Sequence, residues 1–76
     1  TVIRYNLERD SQVSMQIYNV TGRLVKSIKN GFQPSGAYQY MWDGRDDQGG
    51  IVETGIYIVK LNVAGFSKSI KMLLIK

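Results

Sequence analysis

The chain has no cysteine and no histidine. Without cysteine, no disulfide or thiolate zinc site can staple the fold, so an apolar core must hold it alone. Without histidine, the commonest general base and the commonest metal ligand are missing, and a Ser–His–Asp arrangement cannot be built. There is a single proline. No apolar run approaches the ~18 residues that a membrane-spanning helix needs. No signal-peptide pattern opens the chain, and it begins at Thr1 rather than Met. That start leads us to expect a piece of a longer protein or a processed form.

What remains is an ordinary globular composition, with 43% hydrophobic residues and eight glycines in 76 residues. This length sets one small domain, which buries only about 60% of the surface its unfolded form exposes. The net charge is +4 and unevenly spread. Asp43, Asp46, Asp47 and Glu53 fall together, and elsewhere the basic residues face only Glu8 and Asp10. Such a field suits an acidic partner, but it also keeps a small domain soluble and discourages strand edges from pairing. The lysines are scattered over several segments rather than forming a stripe interleaved with aromatics, so no nucleic-acid partner is expected.

Alternation of period two dominates the chain. Ile3, Tyr5 and Leu7 share one face of "TVIRYNL", and Val13, Met15 and Ile17 share one face of "QVSMQIY". "NVTG" at 19–22 reads as a hairpin turn closed by Gly22, and its "NVT" also fits a glycosylation acceptor pattern. In "RLVKSIK", Leu24 and Ile28 agree in parity while Val25 does not, which predicts an irregular or edge strand. "NGFQPSG" at 30–36 reads as a loop, with Asn-Gly tolerating positive φ and Pro34 presetting a turn. "AYQYMW" and "GIYIVKLNV" are further strands, "AG" at 64–65 is a short turn, and "FSKSIKMLLIK" closes the chain. The expected fold is all-β: a small antiparallel Ig-like sandwich of six strands, or seven if Ile51 and Val52 add a short one.

The stretch "MWDGRDDQGG" at 41–50 is the strongest chemical suggestion. It fails as an EF-hand: counted from Asp43, the third position is Arg45, the sixth Gln48 and the twelfth Thr54, where oxygen ligands, glycine and glutamate belong. A looser calcium site using Asp43, Asp46 and Asp47 competes with a turn in which Gly44 and Gly49 supply positive φ and the aspartates cap backbone N–H groups. We read it as a structural turn, built by Asp43, Gly44, Asp46, Asp47 and Gly49, with no metal and no cofactor. A glycosidase pair needs two acids facing each other across a cleft, and these lie together in one polar loop. "GRLVKS" lacks the spacing of a phosphate-binding loop. No enzyme activity and no small-molecule substrate are expected.

Tyr38, Tyr40 and Trp42 share one strand face. They suit either a stacking platform for sugars or bases, or the inner face of a sandwich. In a domain short of other apolar surface they are needed as core. The ending is less ordinary. Met72, Leu73, Leu74 and Ile75 are consecutive, so both strand faces are apolar where one polar face is expected. That predicts a strand buried on both sides, or an edge available for strand addition.

Taken together, "IYNVTGRLV", "WDGRDDQGG", "TGIYIVKL" and "KMLLIK" give the chain, over essentially its whole length, a close resemblance to the C-terminal sorting domains of type IX (Por) secretion cargo. It is also similar to the related Ig-like domain of flagellar hook-capping proteins. The sorting resemblance implies that residues 1–76 are a single Ig-like sorting domain, the C-terminal module of a longer exported protein. It implies passage through the periplasm to the cell surface. The partners would be an outer-membrane translocon or shuttle protein and a sortase-like C-terminal signal protease. The signal would lie from Gly55 to Lys76, with Gly55, Tyr57, Gly65, Lys71, Met72, Leu74 and Lys76 as its candidates. The Pro/Asn-rich lead usual in that family is absent here, which is compatible with trimming. The alternative function is a structural or carbohydrate-binding accessory Ig-like module.

Overall fold

The structure, a computed structural model, describes residues 1–63 and 66–75. Gly65 and Lys76, two of the sorting-signal candidates, and the "AG" turn lie outside the described residues. Six strands appear among the described residues: β1 (Val2–Leu7), β2 (Ser11–Asn19), β3 (Leu24–Gln33), β4 (Gly36–Met41), β5 (Gly55–Val63) and β6 (Phe66–Leu74). β1 and β4 form one antiparallel sheet, and β3-β2-β5-β6 form a second. The fold is an all-β, Ig-like sandwich. The short seventh strand does not form, because Ile51 makes only an isolated bridge to Arg45.

Alternation places the core where the sequence pattern expects it. Ile3, Tyr5 and Leu7 of β1 are buried together with Val13, Met15 and Ile17 of β2 and Tyr57, Val59 and Leu61 of β5. Met15, Ile17 and Val59 are fully excluded from water. They occupy the two central strands, so both flanking neighbours shield them.

The irregular edge strand expected at "RLVKSIK" forms, and it shares one cause with the departure at 30–36. β3 lies at the sheet edge and is bulged against β2 at two places, beside Ile17/Tyr18 and Val13/Ser14. A bulge adds one residue to one strand and reverses the side-chain parity beyond it. Leu24, expected inward with Ile28, therefore points outward and is exposed, while Val25 packs against the core. The second bulge explains why 30–36 is not the loop the composition predicts. Gly31 has φ of 75°, but it pairs with Val13, and Phe32 and Gln33 continue the ladder opposite Gln12 and Ser11. The Asn-Gly pair thus serves a kink within β3, and the chain changes sheets only at Pro34–Ser35.

Candidate functional site

The loop between β4 and β5 holds Asp43, Asp46 and Asp47. It is anchored at its start by Trp42, whose backbone N–H donates to the Thr1 carbonyl at 2.8 Å, extending the β1–β4 ladder. The Trp42 ring is buried, packs edge-on against Tyr57 with centroids 5.2 Å apart, and donates from Nε1 to the Arg45 carbonyl at 3.0 Å. Tyr38 and Tyr40 are half-buried against the same core, and Tyr38 stacks on Tyr5. Trp42 therefore belongs to no exposed platform for sugar rings.

Beyond Trp42 each aspartate carboxylate is engaged by backbone N–H groups. Asp43 Oδ1 accepts from the Arg45 N–H at 3.1 Å, an Asx-turn. Gly44 follows with φ of 76°, and its carbonyl accepts from Val52 N–H at 2.9 Å. Asp46 and Gly50 close a small hairpin, with the Asp46 N–H donating to the Gly50 carbonyl at 2.8 Å and the Gly49 N–H to the Asp46 carbonyl at 3.0 Å. Gly49, at φ of 84°, takes the left-handed position that a three-residue hairpin loop requires. Asp46 Oδ1 accepts from Gln48 N–H at 3.0 Å and Gly50 N–H at 2.8 Å, and the Arg45 guanidinium donates to the Gly49 carbonyl. The Arg45–Asp43 ion pair is 3.9 Å long and solvent-exposed, so it contributes little.

Asp47 reaches furthest. Its carboxylate accepts from the Ser27 backbone N–H at 3.1 Å, and its own N–H donates to the Val25 carbonyl at 3.2 Å. Val25 and Ser27 lie on the edge strand β3, whose outer backbone groups have no strand to pair with among the described residues. The hairpin thus lies against that edge, in the bulged part of β3, and satisfies a donor and an acceptor there. Covering an edge with a loop is one way proteins prevent strand-to-strand association. Among the described residues no three acidic side chains are grouped to hold a metal ion. The arrangement orders backbone. It does not set two carboxylates across a cleft.

One further contact ties the same end of the sandwich. Tyr57 donates to the Glu53 carbonyl at 2.6 Å. Burial, with the Glu53 carboxylate as the second cause, holds the Tyr57 phenol above its ordinary value. At the other end of the sandwich, Asp10 Oδ1 accepts from Ser35 N–H at 2.8 Å, joining the β1–β2 connection to the β3–β4 connection. Neither Asp10 nor the Asp47–Ser27 link stands out in the sequence, because each joins residues at least 20 positions apart.

A family model described as the FlgD Ig-like domain matches residues 1–65. This chain belongs to the FlgD Ig-like domain family. It is also similar to a solved structure, the crystal structure of FlgD from P. aeruginosa, with 29% identity over 96% of this chain and a TM-score of 0.73. The chain spans 59% of the length of that protein's chain. No curated protein matches it.

Membership in the FlgD Ig-like family overturns the type IX sorting reading. The translocon or shuttle, the sortase-like protease and the cell-surface destination fall with it, because they rested on that resemblance alone. Three of the four motifs behind it lie within the matched residues, where they build fold. "IYNVTGRLV" forms the β2–β3 hairpin, in which Asn19 Oδ1 accepts from the backbone N–H groups of Thr21 and Arg23. "WDGRDDQGG" is the bracing hairpin, and "TGIYIVKL" is core strand β5. The fourth, "KMLLIK", lies beyond the matched residues. Of the residues named for sorting, Gly55 opens β5, Tyr57 and Leu74 are buried, Met72 packs against the core, and Lys71 is exposed.

Proposed function

We propose that the chain is a non-enzymatic structural module of a flagellar hook-capping-type protein. In this reading, residues 1–76 form one Ig-like domain within a longer polypeptide, and the domain contributes a stiff surface to an assembly at the hook. The carrying observation is the match of residues 1–65 to the FlgD Ig-like domain, joined to the fold shared with the P. aeruginosa protein. The loop chemistry supports it: the three aspartates order backbone and brace a sheet edge, which serves a scaffold.

The test is a domain exchange. Residues 1–76 replace the corresponding domain of the P. aeruginosa FlgD in a strain lacking its own copy, and hooks are counted by electron microscopy. The proposal expects hooks of normal form and restored swimming. A stable, folded chimera that yields no hooks contradicts it.

A further inference from the structure

The four-stranded sheet has two edges, and they differ. β3 is kinked by two bulges and bridged by the Asp47 hairpin. Among the described residues β6 has neither device: its register with β5 runs without a shift from Phe66 opposite Val63 to Leu74 opposite Gly55. Near Gly55, the outer face at β6 also carries exposed apolar side chains. Leu73 is 55% exposed beside Ile56, itself 41% exposed, and Ile75 beyond it is 72% exposed. An outer sheet face is ordinarily polar. Ile75 further borders an open cleft of about 480 Å³, walled by Met41, Ile51, Trp42 and Leu74, with Met41 and Ile51 also exposed.

Charge narrows the occupant. From Gly55 to Ile75 the sequence holds Lys60, Lys68 and Lys71 and no acid. Lys71 lies on the outer face with Leu73 and opposite Ile58. A second copy would bring two acid-free, lysine-bearing β5–β6 segments together, and in the register centred on Lys71 it would set the two Lys71 side chains opposite each other, which is unfavourable across strands. A strand from a different protein has no such conflict if it carries an acid opposite Lys71 and branched apolar residues opposite Leu73 and Ile75.

We propose that residues 71–75 are a docking edge for an extended acidic–apolar segment of another protein, added as a fifth strand beside β6. Backbone groups along the open edge supply affinity, and the Lys71–Leu73–Ile75 face supplies selectivity. An apolar side chain at the end of the added strand fills the cleft between Met41 and Ile51. This goes beyond the hook-capping reading and does not depend on it, since it rests on the two sheet edges, the lysines and the exposed apolar side chains beside β6.

The probe is a capped nine-residue peptide of alternating valine and threonine with one central glutamate, and a twin with lysine in that place. Each is titrated into the isotope-labelled 76-residue chain while backbone amides are followed by NMR. The glutamate peptide is expected to bind saturably, with shifts and exchange protection concentrated at 67–75. The lysine twin should bind up to about fivefold more weakly, the scale of one cross-strand pair. Lys71→Glu should reverse that preference, and Leu73→Glu should weaken both peptides. These side chains are exposed, so unchanged Trp42 fluorescence serves as the folding check. Absence of binding, equal binding of both twins, protection along β3 instead, or a chain that sediments as a dimer through β6 overturns the proposal.

Discussion

The Asp47 carboxylate accepts a hydrogen bond from the Ser27 backbone N–H across the edge of β3, 20 residues away in sequence. A side chain from the loop between the sheets thereby does what a neighbouring β-strand would do. The residue type follows from the task, since a carboxylate is a strong acceptor for a backbone donor.

Asp47→Ala is expected to cost about 1 kcal/mol, the usual net worth of an intramolecular hydrogen bond. Urea unfolding followed by Trp42 fluorescence measures it. The same variant should associate at high protein concentration through the uncovered β3, visible as a concentration-dependent sedimentation coefficient. Asp47→Asn retains an acceptor oxygen and should lose less.

Met15 lies at the centre of the core and is fully excluded from water. Met15→Ala is expected to cost roughly 2–5 kcal/mol through lost burial and the cavity left behind. A chain of this size has a total margin of roughly 4–11 kcal/mol. Thermal unfolding should therefore show a large fall in Tm or a chain already partly unfolded at 25 °C. A shift of only a degree or two would mean that the core is not organised around β2.

Gly49 sits at φ of 84°, and a Cβ there meets nothing within 4 Å. Gly49→Ala therefore isolates backbone strain, about 1–2 kcal/mol for an L-residue in the left-handed region. A D-alanine introduced at the same position by chemical synthesis should restore stability. Equal stability of the L- and D-alanine forms would contradict the hairpin geometry.

Tyr57 supplies a pH dependence. Its phenol is held above the ordinary value of 10.0, chiefly by burial. In this window the native state keeps a proton that the unfolded state releases, so stability falls as pH rises. That contribution is fully present below pH about 10 and is lost as pH climbs from there through the higher folded value. Urea unfolding between neutral and strongly alkaline pH should show a steeper alkaline loss for the wild type than for Tyr57→Phe.

Much of the fold is legible from local pattern. The alternation in β1, β2 and β5 identifies their buried faces, because a period-two pattern has one meaning wherever one face is wet. The 30–36 segment misleads for a physical reason: glycine at positive φ serves a bulge as well as a turn, and residue type alone does not distinguish them. The candidate site is legible in part. Asx-turns and the glycine at 49 follow from residues within four positions of one another. The contact to Ser27 depends on which strand becomes the sheet edge, and no local spacing encodes that. The functional resemblance misleads in a related way, since the motifs that carry it are largely the turns and core strands of the sandwich.

The central claim is that the Asp-rich hairpin braces the β3 edge, and native-state hydrogen exchange at the Ser27 amide tests it most directly. The structure predicts slow exchange in the wild type despite the exposed position, and fast exchange in Asp47→Ala with the β2 amides unchanged. A Ser27 amide that exchanges at the unfolded rate in the wild type would contradict the account.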